Sequence, residues 1–467
     1  MTDESMTGYL PIAEHGVIGD LHTVALVGTD GTIDWYCTPH FDSPSVFASI
    51  LDQERGGYFR ICPSVDGSST KQLYFPDTNV LITRFLTDDG VGEIQDFMPI
   101  SSGEERHRHR LIRRVVCVRG AMPFTVECEP RFDYARAEHE TTRHEDGVVF
   151  RSKNLGLALE GRVDFELTAR GARADFTLAS DESMTFVLEE VGPHGCPRCH
   201  SEDRTRELFE ETVAFWRGWL SRSRYEGRWR EMVHRSALTL KLLTFEPTGA
   251  IVAASTTSLP EQLGGGRNWD YRYTWIRDAA FSLYALLRLG FTDEAQAFMG
   301  WITERFRERK RHKAGPLQIM YGIDGRSSLE EVVLDHLSGY RGSAPVRIGN
   351  GAADQLQLDI YGELIDSVYL YNKYGTPIYS DAWDDLQRIV DWVCENWDQA
   401  DEGVWEVRGG RQRFTYSRLM CWVAIERAIR VARQRGLPAD LVRWMSSRDD
   451  IYRRVMSHGW SDSRQAF

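Results

Sequence analysis

No run of apolar residues in these 467 positions approaches the roughly 20 needed to cross a bilayer as a helix. No membrane partner is therefore expected. A basic excess is missing too. Lys and Arg number 56 against 69 Asp and Glu, a formal net charge of −13. Nucleic-acid backbones are bound by basic surfaces, so this balance excludes nucleic acid, and an anionic membrane surface with it. Cysteine is scarce: 8 are scattered, mostly within apolar segments such as those around Cys37, Cys117, Cys394 and Cys421. That is no disulfide framework, and a reduced, cytoplasmic compartment fits it best. The opening, MTDESMTGYLPIAEHG, is acidic and lacks an apolar core, so neither a signal peptide nor an anchor is expected.

What is present is length, aromatic residues and a change of period. A chain of 467 residues is too long for one ordinary domain. Apolar residues make up 42% and charged residues 27%, as in ordinary globular proteins, but there are 14 Trp. The expected fold is multidomain, β then α. Residues 1–200 show short alternating runs, among them Thr23–Val27, Thr32–Tyr36, Val80–Phe85, Leu111–Val118, Phe124–Glu129, Gly147–Arg151 and Met184–Glu189. Turn dipeptides such as Asp30-Gly31, Asp89-Gly90 and Asp146-Gly147 separate several of them, a pattern that predicts an antiparallel β-sandwich. Residues 201–227 read as a loop and a linker helix bearing Leu208, Val213, Trp216 and Trp219. Residues 228–467 carry helical stripes: Ile360, Leu364, Val368 and Tyr371; Trp383, Leu386, Val390 and Val393; Leu419, Trp422, Ile425, Ile429 and Ala432; and a last one within 441–455. Long loops on the helices, such as 313–353, are where function is expected.

Chemistry concentrates in two stretches. The first is Gly264 to Phe281, GGGRNWDYRYTWIRDAAF. Such a mix of rings and opposite charges is costly to bury unless every polar group is partnered. It also suits a sugar: rings stack on pyranose faces, and Arg and Asp pair with hydroxyls. The plainer reading is a helix N-terminus capped by Asp270 and packed by aromatics. The second is Asp401 to Tyr416, a loop between two helices in which Glu406 follows Trp405. A carboxyl held against an indole is desolvated and stays protonated, as a general acid requires. The plainer reading pairs Glu406 with Arg408 or Arg411 at the surface. A third cluster, His194 to His200 with Cys196 and Cys199, offers four potential zinc ligands. It lacks a second pair at a distance, so a solvated loop and no metal are expected.

Gly265–Ala279, Val404–Gly409 and Phe414–Ser417 together resemble glycoside hydrolase family fifteen, which includes glucoamylases and bacterial trehalases. Tyr9–Asp20, Gly28–Cys37, Phe41–Ser45 and Gly349–Gln355 resemble its bacterial branch. The resemblance implies a β-sandwich, a linker helix and an (α/α)6-type barrel over 228–467, with no cofactor and a small carbohydrate as partner. It gives no oligomeric state. It implies an inverting, exo-acting hydrolase of trehalose or short α-glucans, with Glu406 as general acid. Arg277 and Asp278 are implied to hold sugar hydroxyls, and Trp275 and Trp405 to wall the pocket. Val407 stands where fungal glucoamylases carry a second acid, which leaves trehalose open as substrate. The family's general base lies in late barrel helices, and none of Glu363, Glu395, Glu402 or Glu426 sits in its motif. The expectation is an incomplete barrel and an inactive isolated chain. Two further readings are a non-catalytic carbohydrate-binding fragment and a phosphorolytic relative using a phosphate nest.

Overall fold

The computed structural model describes residues 8–65, 67–100, 105, 108–192, 195–307, 316–375 and 380–467. The strands are β1 (His15–Gly19), β2 (Val24–Gly28), β3 (Thr32–Cys37), β4 (Ser45–Phe47), β5 (Tyr58–Pro63), β6 (Ser69–Tyr74), β7 (Leu81–Leu86), β8 (Gly90–Phe97) and β9 (Arg110–Glu129). A single distorted turn, α1 (Phe132–Ala135), leads to β10 (His139–His144), β11 (Gly147–Ser152), β12 (Gly156–Glu160), β13 (Glu166–Leu167), β14 (Ala172–Ala179) and β15 (Ser183–Val191). All pairings among them are antiparallel.

The sequence splits β9 in two, at Val118 and Phe124. The structure joins the halves into one strand of 20 residues. Its first half pairs with β8 and β15, its second with β5 and β14. Gly120 is the crossing point, with φ +78° and no room for a Cβ, which would lie 2.0 Å from the Asp89 carbonyl oxygen. A bulge in the β8 pairing sits beside it, the usual device for bending a strand between sheets. The alternating residues of the two sheets then face one shared core, with Ile18, Val27, Ile33 and Phe59 meeting Leu81, Ile94, Leu111 and Val115.

The helices are α2 (Glu202–Leu220), α3 (Arg230–Leu242), α4 (Ile276–Leu289), α5 (Thr292–Arg307), α6 (Asp359–Tyr374), α7 (Ser380–Asn396), α8 (Thr415–Arg435) and α9 (Leu441–His458). Ser201 caps α2 through its hydroxyl oxygen, which accepts the Arg204 N–H at 3.1 Å. Leu208 and Val213 of α2 pack on Val80, Phe97 and Ile112 of the sheets. One or two turns later, Trp216 and Trp219 enter the helical core. The expected stripes on α6 and α7 are buried, but Leu419 of the α8 stripe is exposed. Ile425, Ile429 and Ala432 of that stripe are buried as expected, and Cys421, Ala424 and Ala428 share their face, where small residues admit the closely packed α6.

The strands and helices are not separate bodies. Leu334, Leu337, Tyr340 and Val346, from the loop between α5 and α6, pack on Trp35, Ile50 and Leu51. The Trp35 indole N–H donates to the Ser255 carbonyl oxygen at 2.9 Å. This long loop, where the sequence placed function, thus fastens the helices to the sheets. Residues 308–315 at its start lie outside the described residues.

Candidate active site

The stretch after Gly264 does not enter a helix at Asp270. It runs extended, with Ser258, Ala254 and Ala253 donating backbone N–H groups to the carbonyls of Trp269, Tyr271 and Tyr273 at 2.9 Å each. Extended backbone alternates its side chains. Asn268, Asp270, Arg272 and Thr274 point inward and are buried. Arg267, Trp269, Tyr271 and Trp275 face a cavity of about 300 Å³. Tyr273 departs from the alternation, being buried with its hydroxyl on Asp270 at 3.2 Å.

The inward set is structural. Asp270 receives the Arg272 Nε–H at 2.8 Å and an Nη–H at 2.7 Å, and also the Gly349 N–H at 3.2 Å. Asp270 is therefore the anchor of Arg272 and not a helix cap. Helix α4 begins at Ile276 after Trp275, with no side-chain cap. Arg277 and Asp278 occupy its first turn, where Asp278 complements the helix dipole.

The second stretch reaches the same cavity. Backbone pairing of Asp401 with Gln412, at 2.8 Å in both directions, closes the loop at its base. The Asp401 carboxylate accepts the Leu358 N–H at 3.0 Å and the Ser417 hydroxyl at 2.7 Å, tying the loop to the starts of α6 and α8. Gly403, at φ +65°, turns the chain where a Cβ would strike the Phe414 ring at 2.5 Å. Glu406 itself lies at φ +51°, an uncommon backbone conformation for a residue with a side chain.

All five residues singled out in the sequence, Trp275, Arg277, Asp278, Trp405 and Glu406, line this cavity. Their contacts differ from expectation in one respect. Trp405 is 77% exposed and does not bury Glu406. The indole that meets Glu406 is Trp275, which donates its Nε1–H to Oε1 at 2.8 Å. The contact is polar, not the apolar shielding that the Trp405–Glu406 dipeptide suggests. Nor does Glu406 pair with Arg408 or Arg411, which bind Glu331 at 3.3 Å and Glu402 at 3.0 Å. Its ion partner is Arg277, at 3.2 Å on the same Oε1.

Arg277 is the hub. One Nη donates to Gln357 at 2.8 Å and to Asp359 at 3.2 Å, and Nε lies 3.8 Å from Asp278. Burial works against its charge, but Asp359, Asp278 and Glu406 outweigh burial and hold the guanidinium protonated. Asp359 is buried, with one oxygen that no partner among the described residues reaches; burial pushes its pKa up, against the pull of Arg277. Glu363, one turn along α6, is likewise pushed up by burial although it accepts the Tyr416 hydroxyl.

At the rim, the guanidinium groups of Arg347 and Arg408 lie over the Trp269 ring, at 4.5 Å and 4.4 Å from its centroid. Glu331 binds both arginines. Sequence reasoning missed Gln357, Asp359 and Glu331. The first two follow a polar–apolar alternation from Gln355 to Asp359, the one local signal available, whereas Glu331 sits in a long loop with none. The Cys196–His200 loop is elsewhere: both cysteines are exposed and His200 is held by Glu160. His194 lies outside the described residues.

A half-buried cation steering one oxygen of an open carboxyl, beside aromatic rings, can bind a sugar and transfer a proton to it. Comparison with known proteins points the same way. Residues 227–467 match the family model for glycosyl hydrolases family 15, and residues 7–210 match one described as trehalase-like, N-terminal. A trehalase of Mycobacterium tuberculosis is 37% identical, over 98% of this chain and 70% of the relative's length. A trehalase of Thermoplasma volcanium is 35% identical, over 100% of this chain and 74% of the relative's length.

Proposed function

The chain belongs to glycosyl hydrolases family 15, and on that premise we propose that it serves the hydrolysis of trehalose with inversion, Glu406 acting as general acid. The observation that carries this reading is the meeting of Glu406 with Trp275 and Arg277, from a stretch some 130 residues earlier, in one cavity. Both N–H donors fall on Oε1, which leaves Oε2 to carry the proton given to the glycosidic oxygen. Arg277 and Asp278 hold hydroxyls of the non-reducing glucose, while Trp275 and Trp405 wall its pocket. Inversion needs a second carboxylate across the sugar, about 6.5–9.5 Å from the acid, with a water between. The other acids on the cavity wall are Glu261 and Asp278, at 3.3 Å from Arg267 and 3.8 Å from Arg277. We read these two as sugar-binding groups and not as the base. The helices α3–α9 belong, in the same reading, to an (α/α)6-type barrel.

The test is glucose release from trehalose by the natural protein and its Glu406→Gln variant. Loss of a general acid lowers kcat by about 10²–10⁴-fold, with trehalose affinity changed less than threefold. The first-formed products by NMR are one β-glucose, from the ring that water attacks, and one α-glucose, from the ring that leaves with the bridging oxygen. Undiminished release by the variant overturns the assignment. Glucose 1-phosphate formed only in the presence of phosphate shifts the reading to phosphorolysis, and faster turnover of maltose than of trehalose shifts it to short α-glucans.

A further inference from the structure

A second cluster of titratable groups lies away from the cavity, where the β1–β2 turn meets the helices. Asp20 and His22 come from that turn and His109 from the residue before β9. All three are buried, and one donor atom from each lies within 4.8 Å of the other two. We propose that Asp20, His22 and His109 form a site for one divalent late-transition metal ion, zinc foremost, that ties this turn to β9.

The carboxylate is pre-set. One Asp20 oxygen accepts the backbone N–H groups of His22 and Thr23 at 3.0 Å each, and the other meets His109 Nδ1 at 2.6 Å. His22 carries the independent sign. Its Nδ1 sits 3.3 Å from the Asp20 carbonyl, while its Nε2 is buried without a partner among the described residues. A buried ring nitrogen without a partner is rare. The His22 and His109 rings stand 4.9 Å apart between centroids, and His40 is 6.3 Å from His109.

The donor set selects the ion. One carboxylate oxygen and two imidazole nitrogens suit zinc, cobalt or nickel and not magnesium or calcium, which take oxygen ligands. Zinc binds such donors at about 2.0–2.2 Å, so adjacent donors in a tetrahedron stand roughly 3.3 Å apart. Closing from 4.8 Å needs side-chain rotations of about an ångström. The ion replaces the proton that Asp20 and His109 share and releases it to solvent, and a water or His40 completes the coordination.

Position gives the consequence. Leu21, between two of the ligands, accepts the Glu246 N–H at 3.0 Å, and Phe245 packs edge-on against His22 at 5.7 Å. None of the three ligands lines the sugar cavity. The ion therefore stiffens the junction of sheets and helices and takes no part in glycoside chemistry. Asp20, His22 and His109 are distant in sequence from the Cys196–His200 loop, for which no metal is expected.

The test uses the full chain, stripped with chelator and titrated with Co²⁺ and then Zn²⁺. We expect one equivalent bound, a visible d–d absorption band with Co²⁺, and a melting temperature that rises with free Zn²⁺. The variant Cys196→Ser/Cys199→Ser retains all three, which excludes the loop thiols. His22→Ala, which removes the ring and its free Nε2, weakens Co²⁺ binding at least tenfold. Wild-type chain that takes up no Co²⁺ at micromolar concentration overturns the proposal, whatever the variants do. So does His22→Ala or His109→Gln binding Co²⁺ as tightly as the wild type; the cluster is then a hydrogen-bonded latch.

Discussion

Arg277 gathers four polar partners from three segments of chain, which makes its replacement the most informative at the residue scale. Lysine keeps the charge but cannot bridge Glu406 and Asp359 with a planar fork. Arg277→Lys is expected to cost about 2–4 kcal/mol of transition-state binding, seen as a fall of about 10²-fold in kcat/KM. A change below threefold would mean that Arg277 only supports the fold. The sequence singled out the five residues that meet at the cavity because they sit in two dense motifs. Their division of labour was not legible there. Asp270 and Arg272 look as sugar-ready as Arg277 until the alternation of extended backbone turns them inward. Asp359 carries no motif at all, because what matters is its depth behind Arg277, and depth is a property of three dimensions.

Helix α6 supports the site from behind, through Asp359 on Arg277, and its packing on α8 is close. A Cβ on Gly362 would lie 2.3 Å from the Met420 carbonyl oxygen. Gly362→Ala should therefore lower stability by about 1–3 kcal/mol in a urea melt, despite alanine's better helix propensity. Unchanged stability would show that the two helices can part. The acids on α6 give a pH signature. Asp359 and Glu363 have folded pKa values raised by burial above their unfolded values. Between the two values the native state binds more protons, so stability falls as pH rises through that window and stays lower above it. Glu363→Gln removes the charge and keeps an acceptor for Tyr416. It should raise the melting temperature at pH 8 and change it little at pH 4. The reverse pattern in paired melts would refute the burial argument. Elements of this kind were legible as stripes of period 3.6. The register between them was not, since Leu419 fits the stripe and yet is exposed. Strands β5, β6 and β14 escaped notice because polar residues on their outer faces dilute the alternation.

At the scale of the whole molecule, strands and helices share their packing. Leu21, Val24 and Phe41 belong to the helical core, and loop residues from 334 to 346 belong to the sheets. A single endotherm in calorimetry is expected, and two resolved peaks would contradict it. Arg272 spans the junction, paired with buried Asp270 and donating to the Ser43 carbonyl at 2.9 Å. Arg272→Ala leaves a buried charge alone, at about 3–5 kcal/mol, and should move the whole endotherm down as one. The two-part organisation was legible as a change of period, but the sharing was not, because it rests on isolated apolar residues in turns. The long strand β9 has a consequence for synthesis. Both sheets take their central strand from residues 110–129, and partners such as β14 and β15 follow it in the chain. A ribosome adding about 5–20 residues per second holds the earlier hairpins as unpaired edges until that strand emerges. Their templates are then waiting on both flanks, and nascent chains slowed upstream of codon 110 are the ones most exposed to mispairing with a neighbour on the same messenger.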